Sequence, residues 1–205
     1  MTLPAALAGN VSRETQEDLA RYVALLEKWN PRLNLISRAD IQHVWIRHIT
    51  DSLQVYRQAD RTWARWVDMG AGGGLPGLVV AICAKGDNPD ASVVLMESDQ
   101  RKAVFLRTVI RELSLPADVI AARIEAAVPQ SADVISARAL ARLTRLLALS
   151  EPHIGDDTLC LFPKGRSWAD EVEEARADWS FRLDPVPSTT HEDGVILRIT
   201  EARRA

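Results

Sequence analysis

Trp66-Val67-Asp68-Met69-Gly70-Ala71-Gly72-Gly73-Gly74-Leu75-Pro76-Gly77, followed by the apolar run Leu78 to Cys83, decides how this chain is read. A short apolar strand ends in an acid at Asp68 and passes through a glycine loop. The chain then restarts as a helix with Pro76 near its first turn. Such a junction presents free helix N–H groups and side-chain-free backbone to a ribose or a phosphate. The segment Gly72 to Gly77 also matches the dinucleotide pattern G-x-G-x-x-G. Val93-Val94-Leu95-Met96-Glu97 is a second apolar run ending in an acid about twenty residues past the loop, where a carboxylate can hold ribose hydroxyls. That spacing fits NAD equally well. What tilts the choice is Asp68 directly before glycines at 70, 72 and 74, the acid-x-G-x-G-x-G pattern that resembles the S-adenosylmethionine (AdoMet) loop of Rossmann-like methyltransferases.

Repeated strand and helix signals continue on the C-terminal side. The strand at 92–96 precedes a helix from about Arg101 with Phe105, Leu106, Val109, Ile110 and Leu113 on one face. Strands are expected at 118–121, 133–136 and 158–162, with a helix through Leu140, Leu143, Leu146 and Leu147 and another over 168–178. Phe181 to Leu183 and Val195 to Ile199 read as a closing antiparallel hairpin around Gly194. Short β–α units imply a mostly parallel sheet flanked by helices, an α/β Rossmann-like fold. On the N-terminal side, residues 1–11 start loosely, and Ser12 caps a helix over 12–29 that Asn30-Pro31 should stop. A second helix is expected from Asp40 to about Ala59. The whole reads as one methyltransferase domain over 1–205, a helical cap at 1–60 on an α/β core at 61–205.

With 205 residues, 47% of them apolar, the chain can bury one sizeable core. A dehydrogenase would continue into a second substrate domain, for which there is no room. No apolar run has spanning length and no leader or lipidation signal is seen, so a cytoplasmic protein without a membrane partner is expected. Cys83 and Cys160 lie in apolar runs and read as core residues, and the four histidines have no metal-ligand spacing. No metal is expected. The net charge of −3 argues against a generic nucleic-acid binder but allows a local basic rim, for which Arg142, Arg145, Lys164 and Arg166 are candidates beside Arg138. Arg138 is placed at the start of the helix through Leu140, where the dipole disfavours a cation, so an anionic or polar partner is expected for it.

The chain resembles the small-subunit ribosomal RNA guanine-N7 methyltransferases of the RsmG, or GidB, type. The resemblance rests on Arg47-His48-Ile49-Thr50-Asp51-Ser52-Leu53 and the Gly-Leu-Pro-Gly ending of the loop. Trp29-Asn30, Asn34 to Ser37, Glu97-Ser98, Ile124-Glu125, Ser136-Ala137-Arg138-Ala139 and Lys164-Gly165 add to it. It implies AdoMet as cofactor, held along Gly70, Gly72, Gly74, Leu75 and Gly77 and by Ile124, Glu125 and Arg138, with Glu97 at the ribose and Asp68 beneath the loop. His48, Asp51, Ser52 and Lys164 would line the substrate side as positioning groups, and Arg142, Lys164 and Arg166 would meet RNA. The implied partner is 16S rRNA or the small ribosomal subunit, bound by a monomer. Departures are Ala71 for the family's frequent Ser or Thr, Ser37 for Thr, and Glu97 for Asp, the last reaching farther toward a ribose. The competing expectations are an NAD(P)-linked reductase, a small-molecule methyltransferase and a non-catalytic ribosome-binding protein.

Overall fold

A computed structural model describes residues 11–59 and 62–205, so the loose start expected at 1–11 falls almost wholly outside the described residues. The strands are β1 (Arg65–Met69), β2 (Ser92–Met96), β3 (Ala117–Ile120), β4 (Ala132–Ser136), β5 (Ile154–Lys164), β6 (Trp179–Pro187) and β7 (Val195–Arg204). They form one sheet in the order β3-β2-β1-β4-β5-β7-β6. The first five run parallel and β7 pairs antiparallel with both β5 and β6. The order reverses between β1 and β4, which opens a crevice beyond their C-terminal ends.

Central strands buried on both faces need apolar residues at every position. In β1, Trp66 packs on one side of the sheet while Val67 and Met69 pack on the other, all fully buried. The first side is covered by α1 (Arg13–Leu33), α2 (Asp51–Tyr56), α3 (Gly77–Asp87) and α4 (Gln100–Leu113). The second is covered by α5 (Leu143–Ser150) and α6 (Trp168–Ala175). Helix α3 is apolar all round from Leu78 to Ala84, and that stretch is wholly buried, as its composition requires. Cys83 and Cys160 are buried free thiols whose pKa burial pushes up to about 12.

Several expected boundaries move. Helix α1 does not stop at Asn30-Pro31 but runs to Leu33, with Pro31 inside its last turn. The buried Asn30 side chain accepts the Ile36 N–H at 2.9 Å, and the left-handed Asn34 supplies the stop instead. The stretch expected as one helix from Asp40 is three: a 3-10 turn at Ile41–His43, a wide π-helical turn at Trp45–Thr50, then α2. The Thr50 hydroxyl donates to the carbonyl of Trp45, five residues back, matching the extra residue in that turn. Helix α3 passes through Gly86 and ends at Asp87, capped by Asn88. Strand β5 begins four residues early because a bulge carries the polar Asp156-Asp157 outward, and Thr158 ties it by accepting from Gly155 N–H and donating to Ala132 O. The closing hairpin is longer than expected: Trp179-Ser180 and Asp184 to Pro187 extend β6, Thr200 to Arg204 extend β7, and Arg204 covers the Trp179 ring at 4.6 Å.

Candidate active site

The glycine loop is held from beneath by a buried relay. The Trp66 indole N–H donates to Ser136 Oγ at 2.8 Å, and that hydroxyl donates to Asp68 Oδ1 at 2.7 Å. The second oxygen, Asp68 Oδ2, accepts the Gly77 N–H at 3.0 Å. Burial raises the Asp68 pKa to about 6, a rise opposed by the two hydrogen bonds and by the charge of Arg138. Gly70, Gly72 and Gly74 all have positive φ, which a branched residue would resist. From the cap, the buried Tyr22 hydroxyl donates to the Gly73 carbonyl at 2.6 Å.

The opposite, exposed side of the loop is bare backbone. A Cβ at Gly72 would meet nothing nearer than the Gly70 carbonyl at 3.7 Å. Beside it, Glu97 accepts the Gly72 N–H at 2.9 Å and the Asp99 N–H at 2.7 Å, one on each oxygen. A carboxylate offers about four acceptor positions, so two remain for a pair of ribose hydroxyls. Ile124 and Glu125 follow β3 at the same end of the sheet. The Ile124 carbonyl lies 3.3 Å from Nε2 of the buried His153, and Glu125 pairs with Arg145. This arrangement fits an adenosine-bearing cofactor: open backbone, a ribose-facing acid and an apolar ledge for a base.

Next to it lies a cavity of about 980 Å³, lined by the cap, the loop after β4, the end of β5 and the β6–β7 turn. The 137–142 loop separates cavity from crevice. Ala139 is left-handed there, at φ +53°. Leu140 lies over the loop, its Cδ1 only 2.7 Å from where a Cβ on Gly70 would stand. Arg138 points to the cap, donating to Asp51 Oδ2 at 3.0 Å and to the Arg47 carbonyl at 3.4 Å. Its other nitrogen lies 3.0 Å from His48 Nδ1. A guanidinium has no acceptor, so His48 Nδ1 must accept and the ring proton sits on Nε2. Nε2 is buried and has no hydrogen-bond partner among the described residues, 3.9 Å from Asp40 Oδ2. Burial, then the Arg138 charge, lowers the His48 pKa to about 4.

The family model for GidB, rRNA small subunit methyltransferase G, matches residues 15–194. The chain belongs to that family. Among its relatives, ribosomal RNA small subunit methyltransferase G of Cereibacter sphaeroides is 50% identical over 93% of this chain and 92% of its own length. The Ruegeria pomeroyi protein of the same name is 46% identical over the full length of both. Solved structures similar in fold include a methyltransferase from Geobacter sulfurreducens (TM-score 0.62, 14% identity, 96% of this chain and 93% of that one). A TehB-like SAM-dependent methyltransferase from Corynebacterium glutamicum has TM-score 0.60 at 14% identity, covering 88% of this chain and 99% of that one.

In this member of the GidB family, several expected placements are corrected. Arg138 is not at a helix start, since α5 begins at Leu143. Its predicted anionic partner is nonetheless present, as Asp51. Lys164 is not on an open rim: its side chain is 8% exposed and its ammonium donates to Glu171 Oε2 and the Ala141 carbonyl, both at 2.7 Å. Glu171 also accepts the Leu143 N–H, so the pair buckles the loop that carries Arg138 and Leu140. Burial works against the Glu171 carboxylate, but Lys164 and the Leu143 N–H outweigh it and hold its pKa low. Arg142 pairs with Glu174 and Arg166 with Asp193, so the rim is charge-balanced and not purely basic. Ser52 donates to the His48 carbonyl at 2.7 Å and is fully buried, bracing the wide turn and not facing the cavity as a free hydroxyl. Sequence reasoning missed Leu140 as a wall, Gln54 as a tether and His153 behind Ile124. Gln54 gives no signal in sequence, since Thr50, Asp51, Arg57 and Gln58 make its helical neighbours polar as well. Among the described residues no group of three or more metal-ligating side chains gathers, and no helix is long and apolar enough to cross a membrane.

Proposed function

We propose that this member of the family transfers the methyl group of S-adenosylmethionine to N7 of a guanine in 16S rRNA near the decoding region. It does so as a monomer in the cytoplasm, with residues 1–60 and 61–205 working as one unit. The observation that carries this reading is the contact of Leu140 with Gly70. It brings the wall of a cavity large enough for a nucleotide against the loop suited to the cofactor.

S-adenosylmethionine, when bound, supplies an electrophilic methyl group on a sulfonium. Gly70, Gly72, Gly74, Leu75 and Gly77 shape its cradle, Glu97 takes the ribose hydroxyls, and Ile124 with Glu125 flanks the adenine. Asp68 keeps the loop and the start of α3 together from below. Guanine N7 carries an in-plane lone pair and no proton, so the protein must orient the base and need not deprotonate it. A neutral His48 and a buried Asp51 suit a site that only orients, because they fix Arg138 and remove no proton from the substrate. An arginine on N7 itself would block the lone pair, so Arg138 donates to O6, a phosphate or the carboxylate of the cofactor. Arg142 and Arg166 exchange their acid partners for phosphates when RNA arrives.

Methyl transfer from labelled AdoMet to small subunits lacking the mark tests this. Chain cleavage specific for N7-methylguanine then maps the position. One labelled guanine near the decoding region is expected. Label on an exocyclic amine or a ribose, or no transfer to RNA, overturns the reading.

A further inference from the structure

The turn between β6 and β7 places Ser188, His191, Glu192 and Asp193 on the wall of the cavity. It is closed on itself by the Ser188 N–H donating to the Gly194 carbonyl at 2.8 Å. Gln54 of α2 makes most of the turn's bonds to the rest of the protein, beside the Thr190–Asp51 bond and the exposed Arg166–Asp193 pair. The Gln54 carbonyl Oε1 accepts the Thr189 N–H at 2.9 Å and the Thr189 hydroxyl at 3.1 Å. The two protons of its amide are shared among Asp51 Oδ1 at 2.7 Å and the hydroxyls of Ser188 and Thr190 at 3.1 Å each. The Thr190 hydroxyl in turn donates to the same Asp51 oxygen at 2.9 Å, and the other oxygen of Asp51 holds Arg138.

The α2 half of this network is buried, with Gln54 8% and Asp51 6% exposed, while Ser188 and Thr190 are half-buried and Thr189 is exposed. An apolar contact would staple a turn to a helix at lower desolvation cost, so polar groups here bring direction, not extra stability. The direction runs from the turn to Asp51, through Gln54 and directly through Thr190, and on to Arg138, and both ends line the same cavity. Moving the turn therefore loosens Asp51, one of the groups that aim Arg138.

We propose that Gln54 is a positioning residue for the RNA substrate: it sets the 188–194 turn as a recognition wall in register with Arg138. The inference rests on the RNA-methylating function proposed above. The turn then contacts the RNA flanking the target base, and its loss falls on RNA binding more than on the cofactor.

The test uses the full-length protein with Gln54→Ala and the milder Thr190→Val, which keeps side-chain shape but removes the hydroxyl bridge. Each variant is measured for binding to small subunits, for KM and kcat in methyl transfer, and for AdoMet affinity. Exchange of the Thr189 amide reports the latch directly. Subunit binding should weaken and KM for subunits rise about fivefold or more, the scale of one lost buried hydrogen bond, with a smaller change in AdoMet affinity. Should Thr189 exchange faster while subunit binding and KM stay at wild-type values, the wall is structural only and the proposal fails. An equal loss of AdoMet affinity would overturn it too, as general loosening. Subunit binding is read without catalysis: if the methyl lands on another atom, the N7 reading falls while a binding defect in Gln54→Ala still supports the wall.

Discussion

Asp68 reaches past the glycine loop to accept the Gly77 N–H at 3.0 Å, so the carboxylate that closes the first strand also holds the start of the helix beyond it. Because burial lifts its pKa from 3.8 to about 6, the folded protein holds a proton that the unfolded chain has already released. This group's stabilising effect is full below pH 4 and is lost as pH rises through about 6. Asp68→Asn removes the titration, so its stability relative to wild type should improve steadily from pH 4 to pH 7. Urea unfolding at several pH values checks this, and a pH-independent difference would show that Asp68 does not titrate there.

His48 should remain neutral wherever the protein is folded. Its folded pKa lies near 4, below the usual 6.5, so acid costs stability as pH falls through that interval. Ring NMR signals of His48 should stay constant from pH 8 to pH 5.5, with the proton on Nε2. The single-turnover methyl-transfer rate should be flat over the same neutral range. A limb on the acid side that disappears in His48→Ala would identify a base and point to an amine or hydroxyl acceptor.

Glycines of one loop should fail in different ways. At Gly72 a methyl has room, so Gly72→Ala costs about 1–2 kcal/mol of left-handed strain and places its methyl where the cofactor meets the backbone. Calorimetry should show a folded protein with weakened AdoMet binding. At Gly77 a Cβ would stand 2.2 Å from Leu95 and 2.7 Å from Asp68, so Gly77→Ala should lower the melting temperature before it alters binding. Equal stability in both variants would contradict this division.

Lys164 should part company with the exposed arginines. Lys164→Ala leaves Glu171 buried with only its N–H and hydroxyl donors, and should cost roughly 3 kcal/mol of stability. Arg142→Ala and Arg166→Ala should leave stability within about 0.5 kcal/mol. Each should remove about one unit from the salt dependence of RNA binding. Denaturant titration and binding at graded salt separate the classes, and an unchanged Lys164→Ala stability would return that lysine to the open rim.

The strand–loop–helix core was legible because its period and punctuation are local: the apolar runs before Asp68 and Glu97, and the glycines between. The cofactor-facing set read from the sequence sits at one end of the sheet, since parallel strands carry their C-terminal residues to a common edge. What stayed hidden depends on distant partners. Asn30 rescues a proline-containing turn through Ile36, and no rule of local propensity contains that bond. Lys164 read as a rim cation because Glu171, seven residues on, gives no sign in sequence that α6 turns it back toward the lysine. The wide turn at Trp45–Thr50 has the composition of an ordinary helix, so its extra residue was invisible.

The outer strand β6 carries Pro185 and Pro187, two residues apart and so on the same side of the strand. Neither has an N–H to offer. A sheet edge ordinarily invites the strand of another chain, and here two successive donors of that invitation are missing at the margin. The hairpin that walls the cavity thus also ends the sheet, protecting the protein from edge-to-edge aggregation at the place where its longest exposed strand would otherwise seed it.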